Sequence, residues 1–326
     1  MFVGIFKSNF QILIPVLFII GIVIWLYSFI NPVLPPLPKQ TELFYILLYK
    51  YIILLPPIVI SLIGFTLLFV QSLVLNNLII NFSLTEKNTY LPALVYFVLM
   101  SIFPSFCTVN QVLIVNLVVI LCLNILFNFY LKEEEYAQIF NIAFVFSLLT
   151  LLYYPSVFYI VFLWIIFIIY RLFKWREWLI SVIGFLLPFL FVSFYFFWKD
   201  NFHEMNMFLN VFKPDIIDIN YKSIKIIIIL FMQLLIFYTG IKYRLLTKDK
   251  IVMQRKLAGI FIALYILNFL PFFFIPNTSL IQICTTFLAA SVFVSNVFIK
   301  LKKGWISELI FFTLIAVIII SRIYNF

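Results

Sequence analysis

The sequence predicts an all-α fold, a polytopic transmembrane helix bundle of about eleven spans with no soluble domain. Three observations carry that expectation. Of the 326 residues, 66% are apolar and 10% are charged, well below the roughly 25% charged share of soluble domains. The apolar residues fall in runs that match the roughly 20 helical residues needed to cross a hydrocarbon layer about 30 Å thick. The joining loops are short, and the longest stretch that reads as extramembrane is 199–223.

The first run, 10–30, follows Lys7 and superficially resembles a signal peptide. It is too long for a signal core, and Asn31, Pro32, Val33, Leu34, Pro35 and Pro36 follow where a small-residue cleavage site would stand. A retained first helix is the expectation. The segment 43–56 is apolar, carries Lys50 and is too short to cross comfortably, so it reads as an interfacial or re-entrant helix. Pro56 and Pro57 break it from the next span. Further spans are expected near 57–80, 90–105, 111–131, 137–153, 155–172, 178–198, 224–240, 257–275, 280–299 and 306–323, all within a single integral membrane domain, 1–326.

Charge tests the layout independently. With the N-terminus cytoplasmic, 15 of the 22 basic residues fall on the cytoplasmic side and 7 on the other. The positive-inside rule therefore predicts a cytoplasmic N-terminus and an exoplasmic C-terminus. Trp175, Trp178 and Trp305 fall beside the cytoplasmic basic clusters and Trp198 at the opposite face, the pattern of an interfacial aromatic belt. The net charge of +10 is explained by these headgroup-level residues and implies no nucleic acid. The seven glycines form no G-x-x-x-G pair, so close glycine-mediated helix crossings are not expected.

Little in the chain carries recognisable chemistry. Cys107, Cys122 and Cys284 are far apart, without metal or disulfide spacing, and read as small apolar packing residues. Phe272 to Phe274 and the run from Phe194 to Trp198 read as lipid-facing or interfacial aromatics. Every Asp and Glu falls in a loop or at a span end, which removes the usual coupling carboxylate of an ion-driven transporter. The candidate catalytic acids are Glu42, in the loop after the first span, and Asp200 and Glu204 in the 199–223 loop. A carboxylate there could serve as general base toward an acceptor hydroxyl, with Lys199 or Lys213 holding a phosphate. His203 shares that loop, but no second strong ligand is spaced for a metal. Asn76, Asn77, Asn116, Asn124, Asn128, Asn141, Gln233 and Asn268 fall inside spans, where interhelical hydrogen bonding accounts for most of them. The stretch Arg171 to Trp178 reads as a tight loop anchored at headgroup depth by its Trp and basic residues.

Two resemblances extend this reading. Leu84 to Tyr90, Met100 to Pro104, Trp175 to Ile180 and Gly184 to Pro188 together resemble an uncharacterised multi-pass inner-membrane protein family of Bacteroidota, a domain of unknown function. The likeness covers about 84–190, and family members often carry an Asp in the segment 139–144, where this chain has Asn141. It implies a cell inner-membrane location and no particular activity. The order of one span, a loop with an interfacial helix, then closely spaced helices over 90–198 is similar to GT-C glycosyltransferases. That similarity implies transfer of a sugar from a polyprenyl phosphate at the exoplasmic face, with a catalytic acid in the first loop. The Asp such enzymes place just after the first helix is absent, and Glu42 is the only acid in that loop.

The leading expectation is a non-catalytic component of cell-envelope biogenesis, without a cofactor or metal. A GT-C-like transferase is the alternative, and a transporter or lipid flippase the second. The expected partners are the lipid bilayer and either a polyprenyl-phosphate lipid or other envelope proteins. The transferase reading expects an outward-opening cavity at Glu42; the transporter reading expects a polar path past Asn124, Asn128 and Gln233.

Overall fold

The structure is a computed structural model that describes residues 2–39, 42–129, 136–200, 224–275, 279–301 and 304–323. Among them no strand occurs, and twelve helices of ten residues or more follow one another. They are α1 (Leu13–Ile30), α2 (Leu43–Ile52), α3 (Pro57–Asn81), α4 (Leu91–Met100), α5 (Gln111–Asn128), α6 (Tyr136–Leu152), α7 (Tyr159–Tyr170), α8 (Trp175–Trp198), α9 (Ile224–Leu246), α10 (Val252–Phe269), α11 (Ile283–Lys300) and α12 (Gly304–Ile323).

Eight of these segments are long and apolar enough to cross a membrane: α1, α3, α5, α8, α9, α10, α11 and α12. The three other expected spans are occupied by α4, α6 and α7, which have 10, 17 and 12 residues. Proline explains two of the short lengths. Pro104 follows the end of α4 and Pro155 stands in the 3-10 turn before α7, each disfavouring helix continuation through its neighbours. Pro56 has φ −55° and ψ 139°, which ends the approach to α3, and Pro57 occupies the first helical turn, where no N–H is needed.

α11 is the pillar of the bundle. Every residue from Ile283 to Phe298 is buried, because Thr285, Thr286, Ala289, Ala290, Ser291 and Ser295 let neighbours approach from all sides. α4, α5, α9 and α10 pack around it, and α4 is itself buried throughout. At the periphery the pattern inverts. Ile19, Val23 and Leu26 of α1 and Leu190, Phe194 and Phe197 of α8 are exposed, an apolar outer surface that suits lipid and not water. Trp175, Trp198 and Trp305 are exposed near helix ends.

Loop contacts sort the chain into two ends. Lys300 pairs with Glu86 at 2.5 Å, Lys250 donates to the Leu84 carbonyl at 3.3 Å, and Lys7 lies within electrostatic reach of Lys87 and Glu308. The opposite end holds the contacts of Glu42 with Gln111 and of Arg322 with Ser101. The short helix α4 and the irregular chain that follows it lie between these two sets of contacts.

One close glycine-mediated helix crossing does occur, contrary to expectation, at Gly184, and Gly64 makes a similar approach to the non-helical backbone at Thr108. A Cβ on Gly184 would lie 2.8 Å from the Phe140 carbonyl oxygen, and one on Gly64 would lie 3.1 Å from the Thr108 carbonyl carbon. Each is a single glycine facing backbone, so the absence of a paired motif concealed it.

Candidate functional site

Among the described residues, Glu42 is the one candidate acid placed in the interior. It precedes α2 and is 2% exposed. Its Oε2 accepts from the backbone N–H of Lys39 at 3.0 Å and from Nε2 of Gln111 at 2.9 Å. The turn is closed by the Glu42 N–H donating to the Lys39 carbonyl at 3.0 Å. Tyr45, one turn into α2, donates its hydroxyl to the Pro36 carbonyl at 3.3 Å and ties the proline-rich segment to the helix. On the other side, the Asn110 side chain caps α5 by accepting from the Leu113 N–H at 2.9 Å, which aims the first helical residue, Gln111, at the carboxylate. Burial pushes the Glu42 carboxyl above the ordinary carboxylate range, while the Lys39 N–H, the Lys39 charge and Gln111 pull it back. Tyr153 lies within electrostatic reach. The arrangement can hold a proton on a carboxyl group away from bulk water, and it ties the first loop to α5.

Next to it runs an unusual piece of backbone. Ser101 to Asn110 is non-helical apart from one 3-10 turn at Pro104–Phe106, yet all of it except the half-buried Ser105 is buried. Irregular backbone at membrane depth persists only where protein covers it. Here the cover comes from the last helix: Arg322 Nη2 donates to the Ser101 carbonyl at 3.1 Å, and Ser321 donates to the Ile102 carbonyl at 2.5 Å. Trp25 of α1 donates to the Ser101 hydroxyl at 2.9 Å. Arg322 is 9% exposed and faces the Tyr27 ring at 5.7 Å. Sequence reasoning counted Arg322 only as a flanking charge. A lone cation at the end of an apolar helix, with no acid near it in sequence, is the signal that could have marked it.

The remaining candidates lie elsewhere. Lys199 and Asp200 sit exposed at the end of α8, Asp200 in a left-handed conformation at φ 52° and Lys199 with its ammonium 4.7 Å from the Tyr195 ring centre. His203, Glu204 and Lys213 lie outside the described residues. Among the described residues no cluster of His, Cys, Asp and Glu could hold a metal ion, and the three cysteines are buried.

Of the intramembrane amides, Asn76 is buried with no partner for its Oδ1, and the other seven divide into two groups. Asn77, Asn124, Asn128 and Asn141 are on exposed faces, and Asn128 only bonds back to the Asn124 carbonyl at 2.9 Å. Asn116, Gln233 and Asn268 are buried and bridge helices. Tyr96 donates to Gln71 Oε1 at 2.9 Å, and Asn116 donates to the Tyr96 hydroxyl at 3.2 Å and the Cys284 carbonyl at 3.1 Å. Gln233 donates to Thr286 at 3.1 Å and accepts from Tyr265 at 3.0 Å, and Asn268 donates to the Thr285 carbonyl at 3.0 Å. Asn124 and Asn128 on the outside and Gln233 inside do not line one path.

The stretch Arg171 to Trp178 is a helix-to-helix turn. Arg171 ends α7 in the left-handed region at φ 63°, and the Leu172 N–H returns to the Phe167 carbonyl at 2.9 Å, the closure usually given to glycine. Trp178 then donates to the Leu172 carbonyl at 3.2 Å and Trp164 to Ser181 at 3.1 Å, pinning α8 against α7. Comparison with protein families, with curated proteins and with solved structures finds no match to this chain.

Proposed function

We propose that the chain is a non-catalytic integral-membrane component of cell-envelope biogenesis, seated in the inner membrane with its N-terminus cytoplasmic. The observation that supports this most is the use made of Glu42. Its carboxylate holds the first loop on α5 through two donors of the same chain, the work of a tie between elements. The filled interior around α11 supports the same reading, since its polar side chains bridge helices. The 15-to-7 distribution of basic residues supports the orientation.

A GT-C-like transferase is the second reading, favoured by one specific feature. Glu42 is a buried acid with a raised pKa in the loop after the first long helix, where the resemblance puts a catalytic carboxylate. The experiment is the envelope glycan and glycoprotein profile of a deletion strain complemented with wild type or Glu42→Gln. Under the structural reading, Glu42→Gln at equal membrane abundance complements like wild type, because an amide oxygen still accepts from Lys39 and Gln111. A truncated glycan rescued by wild type alone would overturn that reading in favour of transfer chemistry.

A further inference from the structure

An open furrow of about 720 Å³ runs along the flank where α7, α10 and the end of α9 meet. Its wall on α7 is Val161, Ile165 and Ile169, spaced four apart and so on one helix face. Its floor is a stripe of α10 that passes Gly259 and Ala263 and ends at Leu270. The small residues make the hollow, and a Cβ on Gly259 would come no closer than 3.8 Å to Ile169. At one end stand Arg244, Lys248 and Arg255, all exposed. Lys256, next in sequence to Arg255, lies within electrostatic reach of Arg171. Among the described residues no carboxylate lines the furrow. The acid nearest in sequence, Asp249, is exposed between Lys248 and Lys250. Glu86, at the same end of the bundle, is paired with Lys300.

The dimensions match one leaflet of a bilayer. Arg255 and Leu270 are fifteen residues apart, about 22 Å of helix at about 1.5 Å per residue. Half of a bilayer with its headgroup layer is about 20–22 Å. A cationic mouth at headgroup level and an apolar trough reaching about mid-membrane are complementary to a phosphate with one hydrocarbon chain. A polyprenyl chain is far longer than this trough.

We propose that the furrow between α7 and α10 binds an anionic glycerophospholipid, its phosphate at Arg244, Lys248 and Arg255 and one acyl chain laid along Gly259 and Ala263 toward Leu270. The site stands apart from Glu42 and holds under either reading of function.

The test is native mass spectrometry of the full chain in detergent, titrated with dioleoyl phosphatidylglycerol or dioleoyl phosphatidylcholine. Wild type should retain phosphatidylglycerol severalfold better than phosphatidylcholine. Arg244→Ala and Arg255→Ala should each weaken phosphatidylglycerol about fivefold, since a cation near a headgroup contributes about 1 kcal/mol. Ala263→Phe, or Gly259→Leu should that variant not fold, should reduce retention of phosphatidylglycerol with the charges intact. Equal retention of the two lipids by wild type would overturn the proposal. So would a charge effect with no effect of filling the trough, since the lipid would then sit only on a basic surface.

Discussion

Arg322, at the end of the last helix, donates to the carbonyl of Ser101, the residue just after α4, at 3.1 Å, and the same nitrogen lies 3.0 Å from Cys107 Sγ. Two positions 221 apart in the chain thus share one cap. α4 stops after ten residues and leaves its last carbonyls inside the protein. A guanidinium there satisfies a carbonyl and sits at the negative end of the helix dipole.

Arg322→Met should therefore loosen the 101–110 segment. A charge-assisted hydrogen bond contributes about 1.5–3 kcal/mol, partly offset here by relief from desolvating the charge. Thermal unfolding in detergent should shift downward, and buried Cys107 should become reactive toward a membrane-permeant maleimide. A variant as stable as wild type with Cys107 still protected would show that Arg322 is not needed for this cover.

Glu42 makes stability depend on pH. Its carboxyl is raised in the folded protein, so the folded state binds the proton more tightly than the unfolded chain. Stability from this group is then present below the ordinary carboxylate pKa and is lost as pH rises from there through the raised value. Glu42→Gln should flatten that slope and leave the protein at least as stable at neutral pH. Glu42→Ala should destabilise at every pH, by about 1–3 kcal/mol, because the Lys39 N–H and the Gln111 amide lose their acceptor. Unfolding midpoints collected across the acidic range for the three proteins decide the matter.

Gly184 sits where α8 meets the backbone of α6. Even a methyl group there would press on the Phe140 carbonyl at 2.8 Å, and a carbonyl in a helix cannot swing aside as a side chain can. Gly184→Ala should cost about 1–3 kcal/mol through displaced backbone. Gly304→Ala is the control, since nothing lies within 4 Å of a Cβ there. Equal melting temperatures for the two variants would mean that α8 can slide on α6 without penalty.

Tyr96 connects Gln71 and Asn116 in the interior. Tyr96→Phe keeps the ring and removes the bridge, and should cost about 0.6 kcal/mol, the average for hydrogen bonds between membrane helices, and no more than about 1.7 kcal/mol. Gln71→Leu combined with Tyr96→Phe should cost less than the two changes singly, because both partners of one bond are then gone. Additive losses would show that the two residues act independently.

Much of the architecture was legible as composition and spacing. The long apolar runs appear as helices, the break at Pro56 and Pro57 falls where expected, and Asn116, Gln233 and Asn268 bridge helices. Three expected spans are shorter than a full crossing, because a hydropathy run does not reveal that Ser101 to Asn110 leaves the helix while remaining buried. Of the site, Glu42 stood out as the lone acid in its loop. Its partner Gln111 did not, since an amide at the start of an apolar run looks like a helix-capping position.

By itself the sequence determined the all-helical class, the order of the helices and which of them are long and apolar enough to cross a membrane. Hydrophobic length and charge bias are local sums, readable one segment at a time. The tertiary structure alone decided that α11 is central, that Arg322 covers Ser101, and that α7 and α10 stand far enough apart to leave a furrow. Those depend on which faces meet across the chain, and such pairings are set by packing between segments hundreds of residues apart.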